Sequence, residues 1–532
     1  MHESPPTNDL TPSTERTGKL AQVLGADLRG LAAMRVVLAV LMLVSLGTRL
    51  RGFRAFYTAQ GLLSSDEAFA AIWTIPWNGR SFLHPFCWAP DNIGSLLMFA
   101  LAAAGAAMLL LGWKTRLATF LCWLMLTALD NRNPIVLNGG DDLLRLCMFW
   151  GLFLPWGARW SIDANAAAAQ SAGGTRGNAY LGAGTVALLL QLASVYFFSA
   201  LIKDYGKWVT DGNALYYALH LEHYVTPLGV MVRDQLPLTW MSRGTWWLEL
   251  AGPLLIFSPV APRLTRYLLF CGFVALHLGI EALFSIGLFS FAAMAVWFGI
   301  LPGCFWDWLE RKVLVPAGLV TIPPVGPDAP STQACAPRSG RCLEKLAWFF
   351  LVYVLVWNIA SINYAFYSQQ VPLWARWLGH QLRLNQRWAM FSPAPAEESK
   401  WLELAAWDES GALHWLGANG WPLENAPPRA ASAYSESWRK VHDRAVRFPP
   451  GLLTPPLAQR YADYLRRACP LTPKITSVRI VAVRRKTRPA GSDNWLAPPD
   501  NVTVIAEVGD HVQEEPLSRL WPLTDSSPPT KP

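Results

Sequence analysis

Residues 196–219, YFFSALIKDYGKWVTDGNALYYAL, begin as an apolar helix and end in a polar segment. At the changeover stand Lys203, Asp204, Lys207 and Asp211, interleaved with Tyr205, Trp208, Gly212 and Tyr216. The apolar run reaches back to about Tyr180, and about 20 apolar residues cross a bilayer core. A lysine delivered to the end of such a helix has two readings. It is an interfacial anchor, snorkelling to water while Trp and Tyr sit among headgroups. Or it is a base held in a dry pocket, where lost solvation favours the neutral amine. Phe197, Phe198, Leu201 and Ile202 favour the dry pocket, and Asp204 opposes it if it faces the lysine.

The same apolar character runs outward along the chain. Of 532 residues, 52% are hydrophobic and only 15% charged, with 27 Trp, which is too apolar for a soluble protein of this size. About nine spans are expected. They lie at about Leu31–Leu50, Asn92–Gly112, Leu117–Leu129, a fourth ending at Trp156, Tyr180–Ile202, Thr245–Val260, Tyr267–Leu283, Ile286–Gly303 and Leu346–Phe366. Basic loops at Lys114 and Arg116, Arg159 and Arg176, Arg263 and Arg266, and Arg311 to Lys345 place the N-terminus in the cytoplasm. These flanking cations account for the net charge of +8 more simply than a nucleic-acid partner does. The expected fold class is mainly α: a polytopic helical membrane bundle, then a smaller, mostly β extracytoplasmic C-terminal domain. Residues 1–29 read as a disordered cytoplasmic tail, 30–366 as the membrane domain and 367–532 as the outer domain. In that last part the run Ile475–Arg484 has the apolar content of a strand.

Charged groups inside spans are rare and default to functional candidates. Arg35, Arg145, Glu249, His277 and Glu281 qualify. His277 and Glu281, four apart, share a helix face. Their bland reading is a structural ion pair, with Arg35 or Arg145 as partner. Asn138-Gly-Gly-Asp141-Asp142 opens the fourth helix. It is an N-cap, since Asn or Asp at a helix start satisfies free N–H groups, or the floor of a polar pocket, where two glycines let backbone approach a ligand. The eight cysteines show no zinc-type pairs, so no metal is expected. On this topology Cys87 and Cys469 share an oxidising compartment. They are a disulfide or two unrelated thiols.

Several motifs together resemble a known family. NPIVLNGGDDLLRL (133–146), LPWGARWSID (154–163) and KWVTDGNALYYAL (207–219) resemble bacterial horizontally transferred transmembrane (HTTM) domain proteins. LFSIGLF (283–289) after His277, and Lys203 five residues before Trp208, resemble vitamin K-dependent γ-carboxylases, which share that membrane fold. QRWAMFSP (386–393) and Ser437-Trp-Arg-Lys440 are similar to the outer domain of these proteins. In the carboxylases a lysine deprotonates a reduced quinone that O₂ then attacks. The strong base so formed removes a γ-proton from glutamate, and CO₂ adds to the carbanion. The resemblance implies Lys203 as base, His277 in the pocket, a reduced quinone (vitamin K or menaquinol) as cofactor and a Cys87–Cys469 disulfide. One departure stands out: Gly139-Gly140 replaces the family's Asn-His pair ahead of the fourth helix.

Two functions follow as expectations. One is a quinol-dependent, carboxylase-like oxygenase in a bacterial inner membrane, modifying an exported peptide. The other is a non-catalytic membrane partner in maturation or export of a secreted peptide. The sequence leaves the substrate and the oligomeric state open.

Overall fold

The computed structural model describes residues 20–63, 92–169, 177–318, 340–362, 371–424, 435–447, 457–489 and 501–509. Apolar runs become helices α1 (Leu28–Arg51), α2 (Asn92–Leu111), α3 (Thr115–Arg132), α4 (Gly139–Gly151), α5 (Ala183–Leu201), α6 (Leu238–Leu255), α7 (Pro262–Leu283), α8 (Phe289–Gly299) and α9 (Arg341–Ile362). They pack around one continuous apolar core. The expected count of spans is only partly matched. Among the described residues, α1, α2, α5, α7 and α9 are long and apolar enough to cross a membrane. A sixth exists if α8 is joined to the segment Gly303–Leu314 across a 95° bend. The other expected spans are helices with a physical reason to fall short. α3 ends on Asp130, Asn131 and Arg132 and carries Arg116, and α6 contains Arg243 and Glu249. α4 has 13 residues, about 20 Å of helix against a core of about 30 Å.

The two ends of the bundle are held by different sets of contacts. At one end, Ala26–Asp27 pairs with Ala179–Tyr180, and Arg266 donates to the carbonyls of Val23 and Gly25. Of the stretch 1–29 expected as a disordered tail, residues 20–29 are therefore folded. Arg29 binds Asp307 and Glu310, each at 2.8 Å, which pins the segment beyond the 95° bend. The Trp160 indole donates to Glu310 as well. At the opposite end lie Arg49, Asp130, Asn138, Lys203 and Glu281, together with every described contact from the C-terminal region to the α3–α4 and α5–α6 connections.

That region holds an antiparallel sheet of β1 (Glu398–Asp408), β2 (Leu413–Leu416), β3 (Pro422–Leu423), β4 (Ile475–Lys486) and β5 (Asn501–Val508), in the order β3-β2-β1-β4-β5. The expected strand in Ile475–Arg484 is β4. Helices α10 (Glu436–Arg447) and α11 (Leu457–Ala468) cover one face. Side chains alternate along a strand. Accordingly Leu402, Leu404 and Ala406 join the main core beneath the helices, while Trp401, Ala405 and Trp407 form a second cluster on the other face. Among the described residues the region is thus a five-stranded sheet backed by helices.

Candidate functional site

Lys203 lies two residues past the end of α5 and is 7% exposed. It does not snorkel. Its ammonium is ion-paired with Glu249 on α6 and donates to Ser199 Oγ at 3.1 Å, one turn back on its own helix. A π-helical turn at Gly206–Thr210 returns Trp208 over the lysine, with Nζ 4.6 Å from the indole centre. Such turns are frequent at functional sites. Asp204, which the sequence sets against the lysine, turns away. Its carboxylate accepts from Lys207 N at 2.7 Å, and its own N–H donates to Pro393 O at 2.7 Å. Two buried indole donors here, Trp208 Nε1 and Trp246 Nε1, lack acceptors among the described residues. Trp246 precedes Glu249 by three residues on α6, so the two share a helix face.

The face of α5 that carries Ser199 also carries Tyr196. Its hydroxyl meets His277 Nε2 at 2.6 Å and accepts from Trp297 Nε1 at 3.0 Å. Phe273 stacks on Trp297 at 4.4 Å and closes the box around Tyr196. Glu249 lies within electrostatic reach of Tyr196, so the Lys203–Glu249 and Tyr196–His277 pairs are neighbours along α5, with no hydrogen bond joining them among the described residues. His277 is fully buried, and its Nδ1 has no partner. The histidine does not pair with Arg35 or Arg145. Arg35 instead donates to the carbonyls of Leu109, Leu110 and Trp160 at 2.6, 3.2 and 2.5 Å, which caps the end of α2. Glu281 is only partly buried, and its Oε2 is likewise unpartnered.

Arg145 belongs to a separate ionic network. It pairs with Asp130 and, at 2.6 Å, with Asp142. Arg49 bridges Asp130 and Asp141 at 2.8 and 2.7 Å. Asn138 and Asp141 form a capping box: Asn138 Oδ1 accepts from Gly140 N at 2.6 Å and Asp141 N at 3.2 Å, and Asp141 Oδ2 accepts from Asn138 N at 3.0 Å. Here the capping reading holds. The glycine pair lets protein, rather than ligand, come close. A Cβ on Gly140 would stand 2.7 Å from Phe289 N. The start of α8 fills the space beside Gly140.

Asn138 also donates to Glu436 Oε1 at 2.7 Å, and the glutamate's other oxygen lies against Gly287. Burial pushes the Glu436 carboxyl up to about 7, aided by Asp141 and Glu281 and opposed by Arg439 and Lys440. Cys469 is a free, half-buried thiol, and Cys87 lies outside the described residues.

A family profile, the HTTM domain, matches residues 26–301. The chain belongs to the HTTM domain family. No curated protein and no solved structure matches it. The HTTM domain match takes in Lys203, Glu249, Tyr196, His277, Glu281, Arg35 and the Arg145 network, and it ends just past α8. Glu436 and Cys469 lie beyond it. Sequence reasoning missed Arg49 and Asp130, which sit at helix ends and read as boundary residues. It also missed Glu436, next to the Ser437-Trp-Arg-Lys440 motif, and Tyr196, whose spacing to Ser199 and Lys203 was a readable signal.

Proposed function

We propose that this HTTM domain protein is a quinol-dependent oxygenase resembling the vitamin K-dependent γ-carboxylases, with Lys203 as its base. The observation that carries the reading is the pairing of a buried lysine with a buried glutamate at the end of an apolar helix. The pair trades a proton without any change in net buried charge, since ammonium–carboxylate and amine–carboxyl are both neutral overall. Ser199 and Trp208 fix the position of the nitrogen. The unpaired donors Trp208 Nε1 and Trp246 Nε1 fit the oxygens of a small aromatic headgroup, which the neighbouring rings would flank. A reduced quinone, when bound there, supplies the electrons for reaction with O₂. Tyr196 and His277 neighbour the Lys203–Glu249 pair along α5 and hold a second proton-bearing pair.

In this reading the N-terminus is cytoplasmic in a bacterial inner membrane. The end bearing Lys203 and the C-terminal sheet faces outward, where an exported peptide would be met. The deciding experiment supplies membranes with reduced vitamin K or menaquinol, O₂ and CO₂, and measures quinone epoxide. Epoxide from wild type and none from a well-folded Lys203→Ala variant is the expected result. Equal epoxide from both, or none from wild type with any quinol, removes the reading.

One observation favours a second reading, a non-catalytic partner in export of a secreted peptide. The space beside Gly140 is occupied by Phe289, so the chain has no room for the carboxylases' histidine. That reading expects a specific peptide partner to crosslink to the C-terminal region, with or without Lys203.

A further inference from the structure

Arg439 takes no part in the lysine site, yet it borders a charged cavity of its own. α10 places the Arg439 guanidinium 4.9 Å from the ring centre of Tyr224, and Lys440 Nζ 6.0 Å from the same ring. Arg439 is 4% exposed. Its Nη1 reaches the His223 carbonyl at 3.5 Å, while Nε and Nη2 have no acceptor among the described residues. The Glu436 carboxylate stands 4.0 Å from Nη2, beyond hydrogen-bonding range. A guanidinium carries five donors in a fixed fork, and a buried charge left without hydrogen bonds is costly. The side chain borders a cavity of about 20 Å³, shared with His223, Lys400, Trp401, His442 and Asp443. That volume admits one water-sized group, which suits the tip of a ligand rather than a whole side chain.

The surrounding charges leave an excess of cation. Lys400 is occupied by Glu398 at 2.6 Å. Arg444 directs its donors to the carbonyls of Pro134 and Leu137. Asp443 is shared electrostatically between Lys440 and Arg444. Burial and the neighbouring Arg439 push Lys440 down, and burial holds Glu436 near neutrality, so its compensating charge is incomplete at neutral pH.

We propose that the cavity bordered by Arg439, His223, Lys400 and His442 is a binding site for one oxyanion tip, a carboxylate or a phosphate. A pair of oxygens, from a planar carboxylate or a tetrahedral phosphate, matches the Nε–Nη2 edge of the guanidinium. The inference rests on the cleft alone and stands whether or not Lys203 is a base.

The test uses the full-length protein in nanodiscs, titrated by calorimetry with a glutamate-rich peptide, its glutamine counterpart and inorganic phosphate. The glutamate peptide or phosphate is expected to bind, the glutamine peptide not to, and the one that binds identifies the source. Loss of a positive charge that lines the cavity in Lys400→Gln should weaken binding severalfold. Arg439→Lys, which keeps the charge and loses the fork, should weaken it as well while keeping the fold. Failure of both anions to bind wild type overturns the proposal. So does equal binding of the two peptides, or binding unchanged in both variants.

Discussion

Lys203 and Glu249 illustrate how a buried charge depends on its partner. Their side chains are 2% and 9% exposed. Breaking such a pair by removing one member typically costs about 3–5 kcal/mol, because the survivor stays buried and uncompensated. Glu249→Gln should therefore lower the unfolding temperature of the detergent-solubilised protein more than Lys203→Met combined with Glu249→Leu does. If the double variant is the less stable, the pair is not an isolated buried ion pair. A second residue-scale prediction concerns space. Gly140→Ala drives a methyl into Phe289 N, and overpacking of this kind costs about 1–3 kcal/mol. Gly287→Ala is worse placed, since its φ is +83° and its Cβ would lie 2.0 Å from Glu436 Oε2. It should loosen α10 from the bundle, visible as faster proteolysis at Arg439 and Lys440, whereas Gly140→Ala should leave that cleavage rate unchanged.

Among the elements, α10 is the one whose attachment to the bundle should respond to pH. Its Glu436 binds Asn138 ahead of α4 and feels Asp141, Glu281, Arg439 and Lys440. The folded carboxyl titrates near 7, above its ordinary value of 4.5. The folded state thus holds the proton more tightly than the unfolded one. This contribution to stability is complete below about pH 4.5 and is lost as pH rises through about 7. Glu436→Gln still accepts from Asn138 and has no proton to lose. The drop in unfolding temperature between pH 5 and pH 8 should be smaller in the variant than in wild type, and an equal drop would remove this account. Elements were also where the sequence was most and least legible. α1, α2, α5, α7 and α9 follow from apolar length, and β4 from its apolar run. Asn138 reads as a cap from local chemistry alone. By contrast, the partners of Arg35 come from α2 and the turn at Trp160, and Arg145 adds Asp130 of α3 to its local partner Asp142, contacts across helices that no local pattern encodes. The joining of Lys203 to Glu249 crosses 46 residues. Each was legible as a buried charge, but not as one of a pair. The helix backing of the sheet was missed because α10 and α11 are strongly amphipathic, charged segments that read as polar turns.

The whole molecule is polarised. One end gathers Val23–Arg29, Trp160, Arg266 and Asp307, and the other gathers the lysine site, the Arg145 network and the C-terminal region. If the chain sits in the membrane with its N-terminus inside, reporters fused at 114 and 318 should report the cytoplasm and one at 424 the opposite compartment. The same compartment for all of them would contradict that orientation. Cys469 is a free thiol and should label with maleimide without prior reduction, whereas labelling only after reduction would show it held in a disulfide.

The 95° turn between α8 and Gly303–Leu314 has a mechanical meaning. A straight helix in a thinner bilayer leans over and so matches the lipid. α8 cannot lean alone, because the segment beyond the bend is clamped by Arg29 through Asp307 and Glu310 and by the Trp160 indole. Tilting would lift that segment or break the clamp. α8 and α1 therefore change tilt only together, so the bundle meets a change in bilayer thickness as one body.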